Sequence, residues 1–94
     1  MSKESIRASI NVKKAEIARI RTSIAQERSR KKEASERYSA RIKTASSKPT
    51  KDSYRREKAS VMAHYEANIR SYQTRIASLQ RNIVSLREQL KYAK

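Results

Sequence analysis

Branched and bulky side chains recur along the first half of the chain in alternating steps of four and three. The seam runs Ile6, Ile10, Lys13, Ile17, Ile20, Ile24, Glu27, Lys31, Ala34, Tyr38. The second half carries a matching seam, here read backwards: Leu90, Leu86, Ile83, Leu79, Ile76, Tyr72, Ile69, Tyr65, Met62, Lys58. Every couple taken in that order sums to 96: 6 with 90, 20 with 76, 38 with 58. Steps of four and three are the mark of a helix with one apolar edge. Couples with a constant sum are the mark of a chain folded back on itself, here near residue 48. The pattern predicts an all-α antiparallel two-helix hairpin of coiled-coil type, one domain spanning 1–94.

Arm one is expected over 2–45, the hinge over 46–50 and arm two over 51–92. Ser2 is placed to cap the first helix, with Glu4 complementing its positive end. Pro49 is the sole proline. It lacks an amide hydrogen and disfavours helical geometry in the residue before it, so Lys48 is expected outside the helix. Thr50 is then the cap of arm two, with Ser53 as its rival and Asp52 in the first turn. Each arm is about 60 Å long, from roughly 42 residues at about 1.5 Å each.

The seam is uneven. Ile and Leu dominate near the two termini, where Ile17 meets Leu79 and Ile20 meets Ile76. Toward the hinge Glu27 faces Ile69, Lys31 faces Tyr65, Ala34 faces Met62 and Tyr38 faces Lys58. The terminal half is therefore expected to be the stable half. Leu, Ile and Val together are only fifteen of 94 residues, and phenylalanine is absent. That is below the roughly 20% at which highly charged chains tend to be disordered. The regular seam argues for helix instead, but for a hairpin with a thin margin. A second stripe of Ala8, Val12, Ala15, Ala18 and Ala25, with Ala59, Ala63, Ala67, Ala77 and Val84, has two readings. Alanine is the best helix former at solvated positions. Small residues also let another helix approach, giving a four-helix or larger bundle with itself or with a partner protein.

Charge adds a second theme. Lys and Arg number 24 against nine Asp and Glu, a net of +15. From Arg28 to Lys58 twelve bases stand against four acids, and the candidate anion-binding residues are Arg28, Arg30, Lys32, Arg37, Arg41, Lys43, Lys48, Lys51, Arg55 and Arg56. Arg41 and Arg55 sum to 96, so the pairing brings like charges together at the tip unless an anion joins them. An acidic protein or a nucleic acid is the expected partner there. Nucleic-acid affinity would come from counterion release and would carry no sequence preference.

Catalysis finds no foothold. Cysteine and glycine are absent and His64 is the single histidine. Thiolate chemistry, zinc sites and glycine-rich phosphate loops are thereby excluded. Glu57 and Glu66 read as charge partners and no serine stands in a nucleophile motif. The expectation is a non-enzymatic interaction protein without cofactor or metal. No stretch is apolar enough for a membrane span or a Sec signal core, so the chain is expected to be cytoplasmic or exported by a leaderless route.

Two equal arms, about a hundred residues, no glycine and many alanines and serines resemble the WXG100 (ESAT-6-like) proteins and the helical partners of LXG toxins in type VII secretion. The resemblance is one of architecture over the whole chain. The hinge here reads Ser47-Lys48-Pro49-Thr50 in place of the family's Trp-X-Gly turn. The family's C-terminal Tyr-x-x-x-Asp/Glu signal has no counterpart: Ile69 follows Tyr65, Ile76 follows Tyr72 and Lys58 follows Tyr54. The resemblance implies a hairpin that works by packing against a partner protein.

Overall fold

The computed structural model describes residues 2–93. It contains two helices, α1 (Lys3–Thr44) and α2 (Lys48–Tyr92), which pack as an antiparallel all-α hairpin. Among the described residues neither helix is long and apolar enough to cross a membrane.

The helix starts are decided by serine. The Ser2 hydroxyl accepts from the Ser5 amide at 3.2 Å, and the Ile6 amide donates to the Ser2 carbonyl at 3.0 Å. Glu4 sits in the first turn of α1, as expected from the helix dipole. At the other end Arg41 and Lys43 occupy the last turn, where cations complement the unpaired carbonyls. The Thr44 hydroxyl donates back to the Ala40 carbonyl at 3.0 Å, and no described residue has positive φ. A glycine-free chain thus ends α1 without a left-handed cap.

The hinge is shorter than expected. Only Ala45, Ser46 and Ser47 lie between the helices, and Lys48 is helical. Neither Thr50 nor Ser53 caps α2. The cap is Ser47, whose hydroxyl accepts from the Thr50 amide at 3.4 Å and donates to the Thr50 hydroxyl at 2.8 Å. The Lys51 amide closes the first full turn on the Ser47 carbonyl at 3.1 Å. Pro49 therefore falls in the first turn, where an amide hydrogen has no intrahelical acceptor to lose. The preference against helix before proline yields to the serine cap. Asp52 consequently lies a turn further in than expected and binds Arg55 at 3.0 Å.

Contacts divide the hairpin into two compact units, a terminal one (Met1–Ser23 with Ser71–Lys94) and a hinge one (Ile24–Arg70). In both, every seam residue is buried or half-buried. The terminal unit holds a cluster of Ile6, Ile10, Ile17 and Ile83, with Ile76, Leu79, Leu86 and Leu90 packed on it. Ile20 is buried as well. Each fully buried Ile contributes about 1.5–3 kcal/mol. Tyr72 is half-buried, and the Arg75 guanidinium lies 5.9 Å from its ring centre.

The hinge unit uses a different chemistry. Ile24, Ala34 and Ile69 are buried, but so is Glu27, at 9% exposure. Its carboxylate accepts from Arg30 at 3.3 Å and from the Asn68 side-chain amide at 3.2 Å. Lys31, which the seam sets opposite Tyr65, binds Glu66 at 3.1 Å. Lys58 donates to the Ser39 hydroxyl at 3.0 Å. These three cross-helix links join numbers that sum to 95 (27 and 68), 97 (31 and 66) and 97 (39 and 58). Each joins a seam residue to one beside the seam, two by hydrogen bonds and the Lys31–Glu66 link as an ion pair.

Candidate anion-binding surface

The ten candidate cations all lie in the hinge unit, Arg41 and Arg55 continuing the seam's spacing toward the tip. Arg28, Arg30, Lys32, Arg37, Arg41, Lys43, Lys48, Arg55 and Arg56 are exposed, and Lys51 is half-buried. They do not form one site. Arg30 is held by Glu27 and Arg55 by Asp52. The Arg41 guanidinium lies 5.4 Å from the centre of the Tyr38 ring, within cation–π range. The like-charge pair expected at the tip is therefore resolved locally. Arg41 turns to an aromatic face and Arg55 to a carboxylate one turn away, so no anion is required between them.

Further along the hinge unit the arrangement is more suited to a ligand. Arg28, Lys32 and Ser35 stand at i, i+4 and i+7 on α1, beside the seam. Glu66 and Arg70 stand four apart on α2. Between these rows lies an open groove of about 760 Å³, with Met62 and Ile69 among its lining residues. Lys31 borders it but is occupied by Glu66. Arg28 and Lys32 make no ion pair among the described residues, so their charge is available. Such a groove offers apolar contact beside the free cations Arg28 and Lys32, although Glu36 and Glu66 also line it, and it suits a segment that carries both apolar and acidic side chains.

Reading the seam alone misses Ser35, Glu66 and Arg70. The signal was present one position off the seam, in the i, i+4, i+7 row that begins at Arg28. What the sequence could not reveal is that Lys31 is already spent on Glu66.

Both units carry a net positive charge. The terminal unit carries eleven bases against three acids, Glu4, Glu16 and Glu88, an excess of +8. The hinge unit carries thirteen against six, an excess of +7. The hinge segment is dense in cations, but its acids offset them. The two units are thus about equally basic, with the cations most crowded between Arg28 and Lys58.

The second stripe is at the surface. Ala8, Val12, Ala15, Ala18, Ala25, Ala59, Ala63, Ala67 and Val84 are exposed and Ala77 is half-buried. Val12 and Val84 each stand 63% exposed, a high value for a β-branched apolar side chain. His64 is exposed beside Tyr65, their ring centres 6.1 Å apart. Among the described residues no three His, Asp or Glu side chains gather as metal ligands. No protein-family model, curated protein or solved structure matches the chain.

Proposed function

We propose that this chain is a non-enzymatic helical-hairpin adaptor. It packs against a partner protein, forming a four-helix or larger assembly, and presents basic surface to acidic groups on that partner. The observation that carries the reading is the groove of the hinge unit, where Arg28 and Lys32 rim Met62 and Ile69. A pure polyanion would find no use for the apolar side chains; an acidic protein segment uses both. The exposed Ala/Val stripe is consistent with helices meeting helices. A role as a type VII secretion partner, suggested by the architecture, is one setting for such an adaptor. Both a cytoplasmic site of action and leaderless export are compatible with it.

A sequence-nonspecific nucleic-acid binder, of viral or mobile-element origin, is the second reading. It is favoured by the even spread of charge, +8 and +7 in the two units, which would suit a repeating phosphate backbone. A gel-shift salt series on unrelated duplexes separates the two. A nucleic-acid binder that neutralises about six to ten phosphates loses about three to five orders of magnitude in affinity between 50 and 200 mM salt. The adaptor reading expects weak duplex binding at the upper salt and specific capture of an acidic helical protein, reduced by Arg28→Glu with Lys32→Glu. Tight duplex binding with the steep slope, unaffected by that pair, would overturn it.

A further inference from the structure

The terminal unit contains a second groove whose composition is more selective. Lys14, Ile17 and Arg21 border it from α1, at i, i+3 and i+7. Gln80, Ile83, Val84 and Arg87 border it from α2, at i, i+3, i+4 and i+7. Both sets trace a single helical face over two turns, about 10 Å. The furrow between two such ridges, about 380 Å³ here, is the kind of seat a third helix takes when ridges pack into grooves. A neighbouring depression shares Gln80 and Val84 and adds Ala77 and Arg81, extending the surface by a turn.

Two features decide what fits. The lining carries apolar Ile17, Ala77, Ile83 and Val84, with Val84 standing 63% exposed. Its charged residues are Lys14, Arg21, Arg81 and Arg87, without one acid, and none of the four makes an ion pair or hydrogen bond among the described residues. The unit's own acids are engaged elsewhere: Glu16 with Arg75 at 3.9 Å, Glu88 with Lys91 at 3.4 Å, and Glu4 in the first turn of α1. A second copy of this chain would bring the same unbalanced cations to the same face, and like charges across an interface disfavour the pairing. Nucleic acid would satisfy the cations but leave the apolar floor without a partner. The occupant must bring apolar side chains on one stripe and carboxylates on both flanks.

We infer that the furrow at Val84 docks an acidic amphipathic helix of a partner protein, with Lys14, Arg21 and Arg87 holding its carboxylates. This rests on the adaptor reading and names the face and the chemistry of its partner.

The probe is a labelled peptide of about 18 residues, or five turns, with Leu at i, i+3, i+4 and i+7 and Glu on both flanks. Fluorescence anisotropy against the full chain measures its affinity. The furrow predicts that Lys14→Glu, Arg21→Glu and Arg87→Glu together weaken binding by about tenfold or more. Val84→Asp weakens it by at least about fivefold, and Arg28→Glu with Lys32→Glu changes it less than about twofold. All these side chains are exposed, and circular dichroism checks that the helices persist. A scrambled peptide of the same composition binds at least about tenfold more weakly. Equal binding of the scrambled peptide overturns the inference, because attraction would then be a matter of field alone. So does a chain that dimerises on its own in sedimentation and loses the dimer on Val84→Asp. Should binding be lost only with the Arg28 and Lys32 changes, the furrow is wrong but the adaptor reading stands. If the peptide is ignored while duplex DNA binds tightly, both fall.

Discussion

Replacing Glu27 by leucine is expected to make this protein more stable. Glu27 occupies a seam position in the hinge unit and is 9% exposed, so its carboxylate is held away from most of the water it prefers. Leucine at the same place adds about 1.5–3 kcal/mol of apolar burial. Against that stand two hydrogen bonds. Arg30 is 62% exposed, so its bond to Glu27 behaves as a surface ion pair and contributes a few tenths of a kcal/mol. The Asn68 bond is made to a charged carboxylate and contributes about 1.5 kcal/mol, and the half-buried Asn68 amide turns to water once released. The balance favours leucine by up to about 1 kcal/mol, in line with other replacements of buried ionic groups by apolar ones. In a domain of this size that is a rise in Tm of up to about 8 °C. Thermal melts followed by circular dichroism at matched protein concentration measure it. A Tm lowered by more than a few degrees would refute the reasoning, since it would mean that the Glu27–Asn68 link holds the hinge unit more firmly than burial does. Glu27→Gln keeps the size and removes the charge. It turns a donor toward Arg30 or Asn68 and is expected to lower stability by about 1 kcal/mol.

Two further substitutions test the hairpin itself. Ser47→Ala removes the cap of α2 and should lower stability by about 0.5–2 kcal/mol, while Ser53→Ala, the rival cap position, should change it by less than about 0.5 kcal/mol; urea unfolding compares them. Ile10→Cys with Leu86→Cys places two thiols within the terminal cluster. Dilute oxidation should give a monomeric loop on a non-reducing gel, and a covalent dimer would mean that arms are exchanged between chains.

Part of the fold was legible because burial in a helical hairpin is a one-dimensional pattern. Ile6, Ile10, Ile17 and Ile83 recur at helical spacing and are buried in the structure. Ser2 acts on its nearest neighbours, so its capping role was legible too. The cap of α2 was misread because two local rules competed. Pro49 argued for extended backbone at Lys48, and Ser47 argued for helix from Lys48 onward. The cap won because Pro49 then sits where no amide is needed. The candidate site was less legible than the fold. Arg41 and Arg55 were expected to face each other at the tip, and nothing in their spacing shows that one turns to Tyr38 and the other to Asp52.

The sequence alone therefore determined the two helices, their antiparallel pairing and the seam that joins them. Apolar spacing encodes all three, and water enforces that spacing on every residue alike. Tertiary structure alone decided which charges are already satisfied. Lys31 is taken by Glu66, Arg30 by Glu27, and Lys14, Arg21 and Arg87 are left without partners among the described residues. A long side chain reaches several neighbours across two helices, and which of them it meets depends on where those helices place each head group.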